Sequence, residues 1–238
     1  MCGRVTLTLD KQTVLDILGD VFQVSNTPEI GTLPNYNIAP SNNLLSVINT
    51  GKAYHGGQLK WGFVPSWAKD ESIGYSMINA RSETIENKTA FKDSFSSKRC
   101  ILLADSFYEW KREKTKRPFR FQITDQSLIP FAGIYSSFTR EDGSKLYTCS
   151  ILTCEPNKTM ANIHNRMPVI LNPSTSKIWL NQETTHHELK DLCVPYSDDK
   201  MSLYEVNPYV NSVKNNNIQC IEPADIQQTL FNGDSPRL

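Results

Sequence analysis

ILLADSFYEWKREKTKRPFRFQITDQSLIPFAGIY, residues 101–135, decides how the fold is read. Ile101–Ala104 is a short, unbroken apolar run, the pattern of a buried strand. Residues 119–123 (FRFQI) alternate strictly between apolar and polar, as a half-buried strand does. Residues 131–135 (FAGIY) are a further strand candidate, rich in aromatic and β-branched side chains.

The same signals extend outward. RVTLTL at 4–9 alternates and reads as a strand; residues 10–18 place Val14, Ile17 and Leu18 on one helical face, with Gly19 as a C-cap signal. Residues 20–43 read as loop, punctuated by Pro28, Pro34 and Pro40. Strands are expected at 44–49, 58–63, 146–152 and 167–171. Phe91 to Phe95 has helical spacing. Short helices are expected at 157–163, at 173–180 with Pro173 in the first turn, and at 186–192. Strands interrupted by short helices, without regular βαβ alternation, define an α+β class with a curled, mostly antiparallel, barrel-like sheet. One domain over residues 2–224 is expected, followed by a polar tail at 225–238.

Composition narrows the function. The 238 residues carry no net charge, which argues against coating nucleic acid by bulk charge but leaves room for a local basic groove. Six cysteines occur without a CxxC pair, so neither a disulfide scaffold nor a zinc ribbon is indicated, and no metal or cofactor is expected. No secretory leader and no membrane-length apolar run is present; the expected location is cytoplasmic, with reduced thiols.

The chemistry concentrates at Met1-Cys2-Gly3. A small second residue permits removal of the initiator methionine, which leaves Cys2 as a 1,2-aminothiol. Its amine, with a pKa of about 7.7–8.0, and its thiol, near about 8.5, are both partly nucleophilic at neutral pH. An aldehyde meeting such a residue gives an imine, and the tethered thiol then closes a five-membered thiazolidine. On position alone, Cys2 also reads as the second residue of a buried first strand.

Other segments bear on that choice. In INARSET (78–84), Asn79 and Arg81 share one face if extended, so Asn79 can orient the Cys2 end and Arg81 can hold a phosphate; a turn Asn and a surface Arg are the plainer reading. Glu109 sits among Phe107, Tyr108 and Trp110, where a partly desolvated carboxylate suits proton transfer, or else is an outward-facing strand Glu. His164, in the loop before MPVIL, can move protons near neutrality, and Arg166 beside it can bind phosphate; a lone loop His is more often structural. Trp61 and Trp67, in WGFVPSW, can stack on unpaired bases or pack in the core. Basic residues are densest between Lys98 and Arg120, read as a hairpin that fits a DNA backbone or as a solvated tip.

MCGR (1–4), NYNIAP (35–40), WGFVPSW, INARSET, ADSFYEWK (104–111), IHNRMPVIL (163–171) and VNSVKNN (210–216) together resemble the SRAP family, the SOS response-associated peptidases or abasic site processing proteins. The pieces run in family order up to about residue 224, although Ala68 stands where the family commonly has a second tryptophan. The resemblance implies a curled-sheet α+β domain that senses abasic sites in single-stranded DNA, including single-strand/double-strand junctions, as a monomer. It implies that Cys2 forms the thiazolidine, Asn79 positions it, Glu109 assists proton transfer and His164 assists sugar ring opening. Arg4, Arg81 and Arg166 would hold flanking phosphates, with Asn37, Pro40, Trp61 and Trp67 also at the DNA. Autocatalytic removal of Met1 and lyase-like incision are implied too. Three other readings compete. A class II glutamine amidotransferase also begins Met-Cys-Gly but is not followed here by its usual Asn-Gly-Asp pattern; a non-catalytic single-strand-binding module and a peptidase acting on other proteins are the others.

Overall fold

A computed structural model describes residues 2–224 apart from Lys114, so the expected tail at 225–238 lies outside the described residues. In chain order the elements begin with β1 (Val5–Leu7), α1 (Lys11–Asp20), β2 (Asn35–Ile38), β3 (Asn43–Asn49), β4 (Tyr54–Trp61), β5 (Asn79–Arg81) and α2 (Lys92–Ser97). There follow β6 (Arg99–Ala104), β7 (Ser106–Arg112), β8 (Lys116–Ile123), β9 (Ile129–Thr139), β10 (Lys145–Cys154), α3 (Lys158–Ala161) and β11 (Met167–Pro168). The last are α4 (Pro173–Leu180), α5 (His186–Asp191) and β12 (Met201–Glu205). No described helix is long and apolar enough to cross a membrane.

Strands β10, β4, β3, β6 and β9 pair in that order, and β9 pairs back onto β10, closing a small barrel. Only the short β4–β10 contact in that ring is parallel. Beside it lies an antiparallel sheet ordered β12-β8-β7-β1-β2. The α+β class with a curled, mostly antiparallel sheet is therefore the observed one. The chain passes from barrel to sheet at Asp105, with no intervening loop. The Asp105 carboxylate accepts hydrogen bonds from the Thr6 hydroxyl and from the backbone and hydroxyl of Thr8, pinning β1 across the junction. Phe107 stacks on Phe121 with centroids 5.1 Å apart and meets Phe131 of the barrel edge-on, so one apolar core serves both layers.

Several expected bounds moved for identifiable reasons. Residues 20–43 contain β2, a strand stabilised by pairing with β1 between its flanking prolines. Helix α1 runs through Gly19; Gln23, at φ 55°, takes the left-handed position, and Val24 N–H closes the end on Leu18 O at 3.0 Å. β4 starts at Tyr54 and stops at Trp61, because Gly62 turns the chain with φ 132°, where a Cβ would lie 2.8 Å from Gly74 O. MPVIL keeps only Met167–Pro168 on the β10 ladder, because the chain then crosses to β9: Val169 O accepts from Ala132 N–H, Ile170 bridges Phe131 and Leu171 N–H donates to Pro130 O. Among the expected helices, α4 matches its predicted span and α3 is shorter.

Four cations of the basic run from Lys98 to Arg120, namely Arg99, Lys111, Arg117 and Arg120, are buried or paired. Arg99 is 1% exposed and donates to the carbonyls of Phe95, Ser96, Trp179 and Asn181, which close the ends of α2 and α4. A cation at two helix C-termini is favourably placed by the peptide dipoles. Arg120 is also buried, bonded to the Ser106 and Tyr204 hydroxyls, while Arg117 is paired with Glu205 and Lys111 with Glu113. Arg99→Met is expected to cost about 3–5 kcal/mol, because several buried carbonyls lose their donor at once. For a chain of this size that lowers the thermal midpoint by roughly 10 °C. Calorimetry checks it, and a midpoint within 2 °C or so of wild type would show that the clamp is dispensable.

Candidate functional site

Cys2 lies just ahead of β1, the strand held between β2 and β7. The Arg4 carbonyl accepts from Tyr108 N–H at 2.9 Å, which extends the β1–β7 pairing toward the N-terminus and brings Glu109 to the Cys2 end. Cys2 is fully buried and Glu109 is 3% exposed. Burial pushes the Cys2 thiol well above the ordinary thiol range, and the negative charge of Glu109 pushes it further; the Arg4 backbone N–H partly offsets both. The resting thiol is neutral.

The opposite wall comes from the barrel. Past Gly133, β10 has lost β9; it holds β5 on one side at Ile151–Thr153, and β11 on the other at Thr153–Cys154. Asn79 and Arg81 flank the buried Ala80 in β5, as expected for alternate positions of an extended segment. Asn79 Nδ2 donates to the Cys2 carbonyl at 2.8 Å. Its Oδ1 is buried with no hydrogen-bond partner, an acceptor next to the residue it holds.

His164 sits between α3 and β11, with its backbone N–H on Met160 O. Its Nδ1 lies within hydrogen-bond distance of both the N–H of Arg166, at 3.1 Å, and the Arg166 carbonyl, at 3.3 Å. Arg166 donates to Thr153 O at 2.7 Å and forms a two-point ion pair with Glu83 at 2.6 and 2.9 Å. Arg81 is exposed.

The residues expected at DNA thus divide. Trp67 is 57% exposed, and Arg81 and Pro40 also reach the surface at least in part. Trp61 is a core residue, 1% exposed, with its indole N–H on Ile78 O at 2.9 Å, so it buttresses the segment that carries Asn79. Arg4 and Asn37 are buried and bonded to each other at 2.6 Å. Arg4 also donates to Val210 O and lies 5.5 Å over the Trp110 ring. Asn37 donates to the carbonyls of Ser212 and Asn215. These bonds explain the VNSVKNN motif: its backbone oxygens anchor Arg4 and Asn37 from 173 or more positions away in sequence. Glu83 and Trp110 were not singled out in the sequence as site residues. Glu83 stands inside INARSET and Trp110 inside ADSFYEWK, so motif membership was the available signal.

Comparison with known proteins agrees with this architecture. The profile of the SOS response associated peptidase (SRAP) family matches residues 1–213. Abasic site processing protein YoaM of Bacillus subtilis (strain 168) is 47% identical over 226 residues, covering 93% of this chain and 98% of the relative. Abasic site processing protein HMCES of Mus musculus is 31% identical over 250 residues, covering 86% of this chain and 70% of the relative. A crystal structure of a Bacteroides thetaiotaomicron protein shares the fold, with a TM-score of 0.80 at 23% identity over 94% of this chain and 100% of that one. With the family profile spanning most of its length and relatives alike over nearly all of it, the chain belongs to the SOS response associated peptidase (SRAP) family.

Proposed function

We propose that this protein processes abasic sites in single-stranded DNA by forming a thiazolidine crosslink through Cys2, once Met1 has been removed. The names of its relatives support abasic-site processing. The observation that carries the chemistry is the hold on Cys2: Asn79 Nδ2 on its carbonyl at 2.8 Å, with Glu109 brought to the Cys2 end by the β1–β7 pairing.

The liberated α-ammonium gives a proton to Glu109, and Asn79 Oδ1 accepts a hydrogen bond from the amine. His164 passes a proton to the deoxyribose ring oxygen as the C1′–O4′ bond breaks and takes up the proton that the C1′ hydroxyl loses, so the sugar opens to its aldehyde and the imidazole is left unchanged. The amine adds to C1′. Glu109 returns its proton to the carbinolamine hydroxyl, which leaves as water, giving the protonated imine. The thiol sulfur then bonds to C1′ and its proton passes to the Glu109 carboxylate, leaving a neutral thiazolidine N–H. One C–N and one C–S bond form, and one water is released. Tethering gives ring closure an effective molarity on the order of 10⁵–10⁸ M. A neutral thiol fits this order, since the amine must react first.

Arg81 and Arg166 contact phosphates and Trp67 stacks on a base, while Arg4, Asn37 and Trp61 support the site from beneath and Pro40 borders it. Single strands and junctions are the substrates because they splay the lesion out cheaply. The same groups would cleave the Met1–Cys2 bond, and reversal through the imine would account for lyase-like incision.

The test is a denaturing gel with a single-stranded oligonucleotide carrying one abasic site, the N-terminus having been verified by mass spectrometry. A heat-stable band is expected with wild type only, and not with Cys2→Ala or an undamaged strand. Glu109→Gln should slow its appearance by about 10²-fold or more. No band from protein lacking Met1 would refute the proposal and favour a glutaminase or a simple binding module.

A further inference from the structure

Glu83 has no part in the chemistry proposed above, yet it occupies Arg166, one of the two arginines proposed to meet DNA phosphates. Its carboxylate takes both prongs of the Arg166 guanidinium, at 2.6 and 2.9 Å. A phosphate uses the same fork in the same two-oxygen geometry, so the two anions compete for it. The partners differ in mobility. The Arg166 side chain is 12% exposed and tied to Thr153 O at 2.7 Å, whereas the Glu83 side chain is 43% exposed, on the turn just after β5. The guanidinium stays in place and the carboxylate can swing into water. Only the carboxylate end of the pair stands in water, which is the side from which a polyanion can compete for the fork.

We propose that Glu83 is a displaceable stand-in for a DNA phosphate on Arg166, a residue that sets how tightly the strand is held without entering the reaction. Burial alone would raise the Glu83 carboxyl; the hydrogen bond and charge of Arg166, with the charge of Arg81, outweigh it and hold the group ionised below the ordinary range. One carboxylate thus serves as counter-charge to both Arg166 and Arg81. Its effect is to weaken binding to intact strands, which offer phosphates but no aldehyde, so that residence depends on the covalent step. The inference rests on the DNA reading given under the proposed function.

Glu83→Gln removes the charge but keeps an oxygen that can still accept from Arg166, so the arginine stays positioned. Binding of an undamaged oligothymidine strand is followed by fluorescence anisotropy across a salt series, in wild type, Glu83→Gln, Arg166→Gln and the double variant. Glu83→Gln is expected to bind roughly three- to tenfold tighter at moderate salt, with the log–log salt slope steeper by about 0.7, as one more phosphate is neutralised. The gain should vanish in the Arg166→Gln background. Equal or weaker binding by Glu83→Gln would overturn the inference, because Glu83 would then be a brace for Arg166. A gain that persists without Arg166 would overturn it as well. If wild type crosslinks abasic DNA while Glu83→Gln binds no tighter, only this inference falls; if wild type neither binds nor crosslinks, both fall.

Discussion

Insertion of one alanine between Met1 and Cys2 is expected to abolish heat-stable crosslinking to abasic DNA, by about 10³-fold or more given the effective molarity of the native ring closure. In the native arrangement the amine, Cα, Cβ and sulfur of one residue close a five-membered ring on C1′. With the insertion the amine belongs to alanine and the thiol to the next residue. Closure would need an eight-membered ring containing a planar trans peptide, which resists it. Everything from the cysteine onward keeps its place: the register of β1 with β7 and the Asn79 bond to the cysteine carbonyl are on the C-terminal side of the insertion. The variant should therefore fold and bind DNA, and it should still form an imine that borohydride traps. Wild type should give a heat-stable band without borohydride, and the variant only with it. A stable band from the variant without borohydride would exclude thiazolidine chemistry.

Alkaline instability is the second large effect expected. Cys2, Cys100 and Cys149 are fully buried and their thiols are pushed far up by desolvation, while Cys154 and Cys193, also raised chiefly by burial, are pushed up to about 12. In the unfolded chain a thiol ionises near about pH 8.5. Above that pH the unfolded state binds fewer protons than the folded state, so stability falls as pH rises, and keeps falling until the folded thiols ionise in turn. Each such thiol removes about 1.4 kcal/mol per pH unit in that window. Between pH 7.5 and 9.5 the group together removes on the order of 7 kcal/mol, comparable with the whole stability of a typical domain. Urea unfolding under reducing conditions at the two pH values measures this. Cys154→Ala should flatten the pH dependence by about one proton's worth of slope. A stability unchanged between the two pH values would show that the buried thiols ionise in place.

Much of the fold was legible because its strands carry their pattern locally. The apolar run of β6, the alternation of β8 and the Pro-initiated α4 need no partner to be read, and each formed where its pattern lay. β2 and β12 were not legible: NYNI sits between prolines and MSLYE has no β-branched residue, and each is extended because of a neighbour, β1 for one and β8 for the other. At the site, Cys2, Asn79, Glu109 and His164 stood out through their motifs. Local charge density misled instead: Arg99 and Arg120 belong to a basic run but point inward to carbonyls and hydroxyls.

The sequence by itself determined the class of fold, the positions of most of its strands, and the presence of a cysteine at position 2 among a small set of polar motifs. Those are properties of spacing and of side-chain chemistry, carried within a few residues. Tertiary structure decided which arginines face out, that Trp61 is core while Trp67 is exposed, and that Arg166 is occupied by Glu83. It also decided that Asn79 reaches the carbonyl of a residue 77 positions away. The reason is that a buried polar group must find its partner wherever the chain brings one, and sequence spacing holds no record of which partner that is.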